Sequence, residues 1–299
     1  MGFTESLKIF LSQLNARKPE IFVWIWPTVI GCMLAACGTP PIWKTLFVVF
    51  SITALAISGY TYNDIADLQA DSLNPTKKKI RPVTAGKLSI KDATKIVWAF
   101  GLLGIFLSVF TTPSAFILTL IWSFLLYGYS HPKIKLKRRL FFKELIISFG
   151  FPLVILIGAL SAGTLSSAVL FGSVLMFAFS FSFLPAIRET PDIEEDKVQG
   201  VKSLSMLISL KTRIEMAILF VLIIMTLTPL TYVHLNLNVV FPIITVASCF
   251  VLLRFLFPLL RHFDHESHKH AYRASYVFWL VLQVSLVIGV LPLSVYIGI

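Results

Sequence analysis

The chain has 299 residues, 57% of them hydrophobic, with a mean hydropathy of +0.84. Only 14% are charged, yet the formal net charge is +11. That balance excludes a soluble globular domain and points to a polytopic membrane protein. The basic excess calls for no nucleic acid, because basic loops set membrane topology and meet anionic lipid.

Apolar runs of roughly 17–25 residues, the length that crosses a bilayer, occur at 21–38, 43–62, 93–110, 114–130, 145–162, 167–187, 214–232, 238–259 and 274–296. They predict an all-α polytopic membrane protein with nine transmembrane helices in one bundle. All but one of the 26 Lys and Arg residues fall on one side of this arrangement, Lys44 being the exception, and all 15 acidic residues fall there too. The positive-inside rule makes that side cytoplasmic. The N-terminus then lies in the cytoplasm and the C-terminus on the opposite side. In a prokaryote this is the cell membrane.

Ahead of the first span, residues 1–20 form an expected interfacial segment. Its stretch Phe3–Leu14 is amphipathic and has no signal-peptide pattern. Cys32, Cys37 and Cys249 fall inside apolar runs and read as small buried hydrophobes. No linker divides the chain, so 1–299 is expected to be a single domain. The long cytoplasmic connections 63–92 and 188–213 are expected to fold over the membrane face as active-site loops.

The first acidic motif, Asn63-Asp64-Ile65-Ala66-Asp67-Leu68-Gln69-Ala70-Asp71, closes the second span. Nothing breaks helix there until Asn74-Pro75. At 100° per residue, Asn63, Asp67 and Asp71 fall within about 80° of one another. Carboxylates at a helix C-terminus oppose the macrodipole by about 0.3–1 kcal/mol each. Cations must compensate, and a hard divalent ion that shares substrate phosphates suits such oxygens.

The second motif, Asp192-Ile193-Glu194-Glu195-Asp196, follows the sixth span. Thr190-Pro191 reads as an N-cap and first turn of a short helix. Asp192 and Asp196 then share a face. The motifs sit at matching points of two proposed four-helix halves, with the ninth helix added. Basic residues flank both. Arg81 and Lys133 are the expected diphosphate ligands, whereas Lys78, Arg138 and Arg139 read as topology charges. The cluster His262–His270 is rich in His and acid but is expected to be a solvated polar loop.

In these residues the chain resembles the UbiA superfamily of intramembrane prenyltransferases. Its Asn-Asp-x-x-Asp-x-x-x-Asp motif is matched at 63–71, its Asp-x-x-x-Asp motif at 192–196, its Arg-Pro-x-x-x-Gly segment at Arg81–Gly86, and its Tyr-x-x-x-Lys feature at Tyr129–Lys133. The resemblance implies one nine-helix domain that transfers an isoprenyl group from an isoprenyl diphosphate to a lipophilic acceptor, with Mg²⁺ as cofactor. By that resemblance Asp67, Asp71, Asp192 and Asp196 hold the metal and act in catalysis with Lys133. Asn63, Asp64, Arg81 and Tyr129 bind substrate.

The chemistry follows from the residues. Cations stabilise the departing diphosphate, and a dry aromatic chamber shields the carbocation. A quinone-ring precursor or other aromatic acceptor is the first expectation. A glycerol ether lipid precursor, a carotenoid or a chlorin side chain are the alternatives. A transporter of a cation or phosphorylated solute is the rival class, since intramembrane acids also mark ion paths. The nearly uncharged outer half argues against it.

Overall fold

Backbone polar groups that lipid cannot satisfy must be paired within their own segment. Among the described residues of the computed structural model, 3–139, 142–190, 193–198 and 200–292, the chain is accordingly helical and contains no strand. The long helices are α1 (Phe3–Ala35), α2 (Ile42–Ala66), α5 (Ile90–Ser108), α6 (Pro113–Ser130), α7 (Phe142–Ala162), α8 (Ser167–Phe183), α11 (Leu210–Thr231), α12 (Val240–Leu259) and α13 (His265–Val290). Short helices join them at one end of the bundle: α3 (Leu68–Leu73), α4 (Pro75–Ile80), α9 (Ile193–Val198) and α10 (Leu204–Leu207).

Seven helices are long and apolar enough to cross a membrane: α2, α6, α7, α8 with its extension to Arg188, α11, α12 and α13. The chain is thus a multi-pass membrane protein. α1 and α5 match expected spans but do not belong to the seven. Charges interrupt their apolar stretches, with Arg17, Lys18 and Glu20 midway along α1 and Lys91, Asp92 and Lys95 near the start of α5. From Phe3 onward the interfacial segment expected over 1–20 and the first expected span form one helix, since α1 runs through both Pro19 and Pro27.

Helix starts are fixed by local chemistry. The side chains of Ser89, Thr112, Ser166, Ser209 and Asp264 each accept the backbone N–H three residues on. This satisfies donors that would otherwise be stranded. Asp264 thereby starts α13 at His265, so most of the histidine cluster is helix and not loop. Cys37 also departs from expectation. It is exposed in the turn after α1, at φ 49°, while Cys32 and Cys249 are buried.

The main core is one continuous apolar cluster, with a small second one of Val83, Leu88 and Ala93. Its tightest seam joins α1 to α7. A Cβ at Gly31 would collide with the Ile155 carbonyl, and one at Gly158 with that of Thr28. The Cys32 thiol donates to Gly158 O at 3.2 Å. Small residues let two backbones touch where no hydrophobic effect separates protein from lipid. Trp98, Phe106, Phe124, Val174 and Phe250 face outward, as a bilayer permits.

Candidate active site

The two motif-bearing regions meet at one end of the bundle, around a chamber of about 690 Å³. On one wall, α2 stops at Ala66 and α3 begins at Leu68. Asp67 alone leaves helical geometry, at φ −100° and ψ 8°. The ladder is barely interrupted, since Asp67 N–H donates to Asn63 O and Asp71 N–H to Asp67 O, both at 2.9 Å. Asn63, Asp67 and Asp71 therefore stay on one face, and all three line the chamber. The expected uninterrupted helix is corrected only at this residue.

Asn74 then caps α4, its Oδ1 accepting Lys77 N–H at 3.1 Å, with Pro75 as first helical residue. Beyond α4 the chain turns sharply. Gly86 takes φ 69°, which favours glycine, and Lys87 N–H bonds back to Pro82 O at 2.9 Å. This turn, with Val83 and Leu88 buried beneath it, holds Arg81 against Asp71. Burial pushes the Asp71 carboxyl upward, and Arg81 opposes that shift.

The opposite wall grows from α7 and α8. Pro185 has no N–H to continue the α8 ladder, and Leu184–Arg188 widens into a π turn. Glu189 N–H then reaches back to Leu184 O at 2.9 Å. Glu189 is 3% exposed, and its Oε1 lies 3.1 Å from Lys143 Nζ on α7. Lys143 also pairs with Asp196 on α9. α9 ends at Val198; Gly200 takes φ 67°, and Val201 N–H bonds to Asp196 O at 2.9 Å. Asp192 lies outside the described residues. The helix start expected at Thr190-Pro191 likewise runs into residues outside those described; the Thr190 hydroxyl donates to Ala186 O at 3.2 Å and accepts from Arg213.

Two of the remaining candidates lie outside the chamber lining. Tyr129 and Arg81 line the chamber. Lys133 does not: it is exposed on the turn after α6. Lys135 adopts a left-handed conformation, at φ 46°. The 3₁₀ turn Leu136–Arg138 that follows brings Lys137 inward onto Asp67. Asp64 is wholly buried and absent from the lining. It pairs with Arg17, Nε to Oδ2 at 3.4 Å, and lies 3.7 Å from Arg81. It acts on the chamber through those two arginines.

Sequence reasoning missed Arg17, Lys137, Lys143 and Glu189. Lys137 and Lys143 were hidden among topology charges. Glu189, in the segment just ahead of the second motif, was the one with a visible signal. The chamber floor is aromatic. Trp24 lies 5.1 Å from Phe151 and 5.7 Å from Trp122, and Phe151 lies 6.4 Å from Trp279, between ring centroids. Among the described residues no three acids are close enough to cage a metal by themselves. Carboxylates on facing walls still suit a divalent ion completed by substrate phosphates, as Mg²⁺ commonly is.

Carboxylates and cations over an aromatic, membrane-embedded floor define an intramembrane enzyme that handles a charged head and an apolar tail. The chain belongs to the UbiA prenyltransferase family, whose model matches residues 24–282. It is a prenyltransferase, and the transporter reading falls away. It is 26% identical to digeranylgeranylglyceryl phosphate synthase of Korarchaeum cryptofilum, over 77% of this chain and 79% of that one. It is 23% identical to 4-hydroxybenzoate octaprenyltransferase of Vesicomyosocius okutanii, over 90% and 96%. A solved UbiA homologue from Archaeoglobus fulgidus, bound to DMAPP and Mg²⁺, shares the fold. Its TM-score is 0.68 at 15% identity, covering 92% of this chain and 99% of that one.

Proposed function

We propose that the chain transfers an isoprenyl group from an isoprenyl diphosphate to the hydroxyl of a glycerol ether lipid precursor that carries a phosphate. One observation carries the diphosphate site. Asn63, Asp67 and Asp71 face Asp196 across a single chamber, and Asp67, Asp71 and Asp196 each pair with a cation. The acceptor rests on relatives such as the Korarchaeum cryptofilum enzyme, whose name denotes a glyceryl phosphate product. It replaces the aromatic ring expected first.

Asp67, Asp71 and Asp196, with Asp192 of the same motif, would hold Mg²⁺, which supplies charge neutralisation on the diphosphate. Arg81, Lys137 and Lys143 turn from their carboxylates toward the phosphate oxygens. Asn63 holds Asp67 in place, Nδ2 to Oδ2 at 2.8 Å, and Tyr129 stands between the walls. The C1–O bond breaks with its electron pair leaving on diphosphate. The acceptor oxygen bonds C1, and its proton passes to the departing phosphate. The aromatic floor keeps water from the allylic cation.

The remaining parts of the reading are topological. Residues 1–299 act as one domain, α1 and α5 complete nine spans in two four-helix halves plus α13, and 63–92 and 188–213 cap a cytoplasmic site. The one-sided charge map supports this.

The test supplies purified protein with Mg²⁺, labelled isoprenyl diphosphates, and either a glyceryl ether phosphate or 4-hydroxybenzoate, with products read by mass spectrometry. Ether product is expected. Product on the ring alone refutes the acceptor. Asp67→Asn, Asp71→Asn and Asp196→Asn should each lower kcat at least about 10²-fold, and unchanged rates refute the diphosphate site.

A further inference from the structure

We infer that Arg188 binds the phosphate of the acceptor, with the Tyr60 hydroxyl as its companion, and so selects a phosphate-bearing lipid over a neutral one. The inference rests on the glyceryl phosphate reading above and deepens it. It comes from accounting for every cation in the chamber wall. Arg81 is held by Asp71, Lys137 by Asp67, and Lys143 by Asp196 and Glu189. Arg17 is held by Asp64 and Glu20, and Lys77 acts on Asp71. These either belong to the diphosphate carboxylates or are neutralised behind the wall.

Arg188 is different. It lines the same chamber and is exposed, at the end of the π turn. It makes no ion pair with any described residue. It shares the chamber lining with Tyr60 and Tyr129. Tyr60 also lines the chamber, and its oxygen accepts from Trp24 Nε1 at 2.8 Å. That bond leaves the Tyr60 O–H proton free to donate.

A guanidinium with no ion pair to any described residue, in one chamber with a hydroxyl donor, matches a phosphate monoester, which takes a fork of N–H donors and further hydrogen bonds. The setting also suits an amphiphile. Exposed Arg188 marks the polar mouth, and the apolar floor around Trp24 and Phe151 lies within the same cavity. A lipid acceptor then enters with its head at the mouth and its chain toward the floor. Pro185, which opens the π turn, and Arg213, whose Nη1 donates to Pro185 O at 2.6 Å, fix the backbone that carries Arg188.

The experiment compares wild type, Arg188→Gln and Arg188→Lys on two acceptors, geranylgeranylglyceryl phosphate and geranylgeranylglycerol, at saturating Mg²⁺ and isoprenyl diphosphate. In Arg188→Gln, KM for the phosphate acceptor should rise about 30- to 100-fold, the scale of a lost charge-assisted pair. KM for isoprenyl diphosphate and turnover on the alcohol should hold within about twofold. Arg188→Lys should recover part of the loss, since it keeps charge but not the fork. Tyr60→Phe should raise the same KM less, about three- to tenfold. An equal loss on both acceptors, or a raised KM for the diphosphate, overturns the assignment while leaving the glyceryl phosphate reading intact. If wild type prenylates neither glyceryl acceptor, that underlying reading fails and this one with it.

Discussion

Lys143→Met removes the cation that two buried carboxylates share. Lys143 Nζ lies 3.1 Å from Glu189 Oε1 and also pairs with Asp196. The side chains of Lys143, Glu189 and Asp196 are 10%, 4% and 11% exposed, so solvent screens little of the interaction. At an effective dielectric of about 20, one such pair attracts by about 5 kcal/mol. Deleting one partner of a buried pair costs about 3–5 kcal/mol, because the remaining charge stays uncompensated. Here two charges remain, and Glu144 adjoins Glu189. Equilibrium unfolding in mixed micelles, followed by tryptophan fluorescence, should show a loss of about 3–5 kcal/mol in EDTA. Millimolar Mg²⁺ should restore part of it, since a divalent ion can replace the missing charge at Asp196. The double variant Lys143→Met/Glu189→Gln should recover at least about 1 kcal/mol relative to additivity. A loss below about 1 kcal/mol, or one insensitive to Mg²⁺, refutes the account of Lys143 as the shared counter-ion.

Four further outcomes are expected. Lys137→Ala should lower prenyl transfer by tenfold or more, the order of one lost charge-assisted contact, because it strips Asp67 of its partner. Exposed Lys133→Ala should leave both rate and stability near wild type, and the reverse pattern in a steady-state assay would restore Lys133 to the site. Gly158→Ala should destabilise by about 1–3 kcal/mol or prevent assembly, since its Cβ meets the Thr28 carbonyl and backbone cannot give way cheaply. Unchanged unfolding would contradict the tight α1–α7 seam. His268→Ala removes the 2.8 Å hydrogen bond to Ile187 O in the π turn. It should cost about 1 kcal/mol and lower kcat, with partial recovery in His268→Gln. Equal kcat in His268→Ala would mean that the π turn stays placed without it.

Much of the architecture was legible because lipid imposes a simple rule: long apolar runs become helices. Those runs matched the long helices to within a few residues at most ends, and the charge map separated a polar end from an apolar one. The misplaced boundaries share a cause. α1 begins early and α13 at His265 because polar residues can extend a helix beyond the hydrocarbon, where hydropathy no longer reports it. The acidic motifs were legible because anions clustered against a helix C-terminus are costly without a partner. Which cations serve as partners was not legible. Lys133 and Lys137 look alike in the chain, and Asp64 looks like its neighbours.

The sequence by itself determined a helical membrane protein, its polar end, and the acidic motifs from which Asp67, Asp71 and Asp196 line one chamber. These follow from hydropathy, charge and spacing, which act locally along the chain. Tertiary structure decided which basic residues meet those carboxylates. A left-handed Lys135 carries Lys137 inward, a proline-opened π turn buries Glu189 and leaves Arg188 exposed in the chamber wall, and α7 brings Lys143 between two acids. Each depends on the direction of a side chain after a turn and on what an unrelated segment places opposite it. Periodicity carries no information about either.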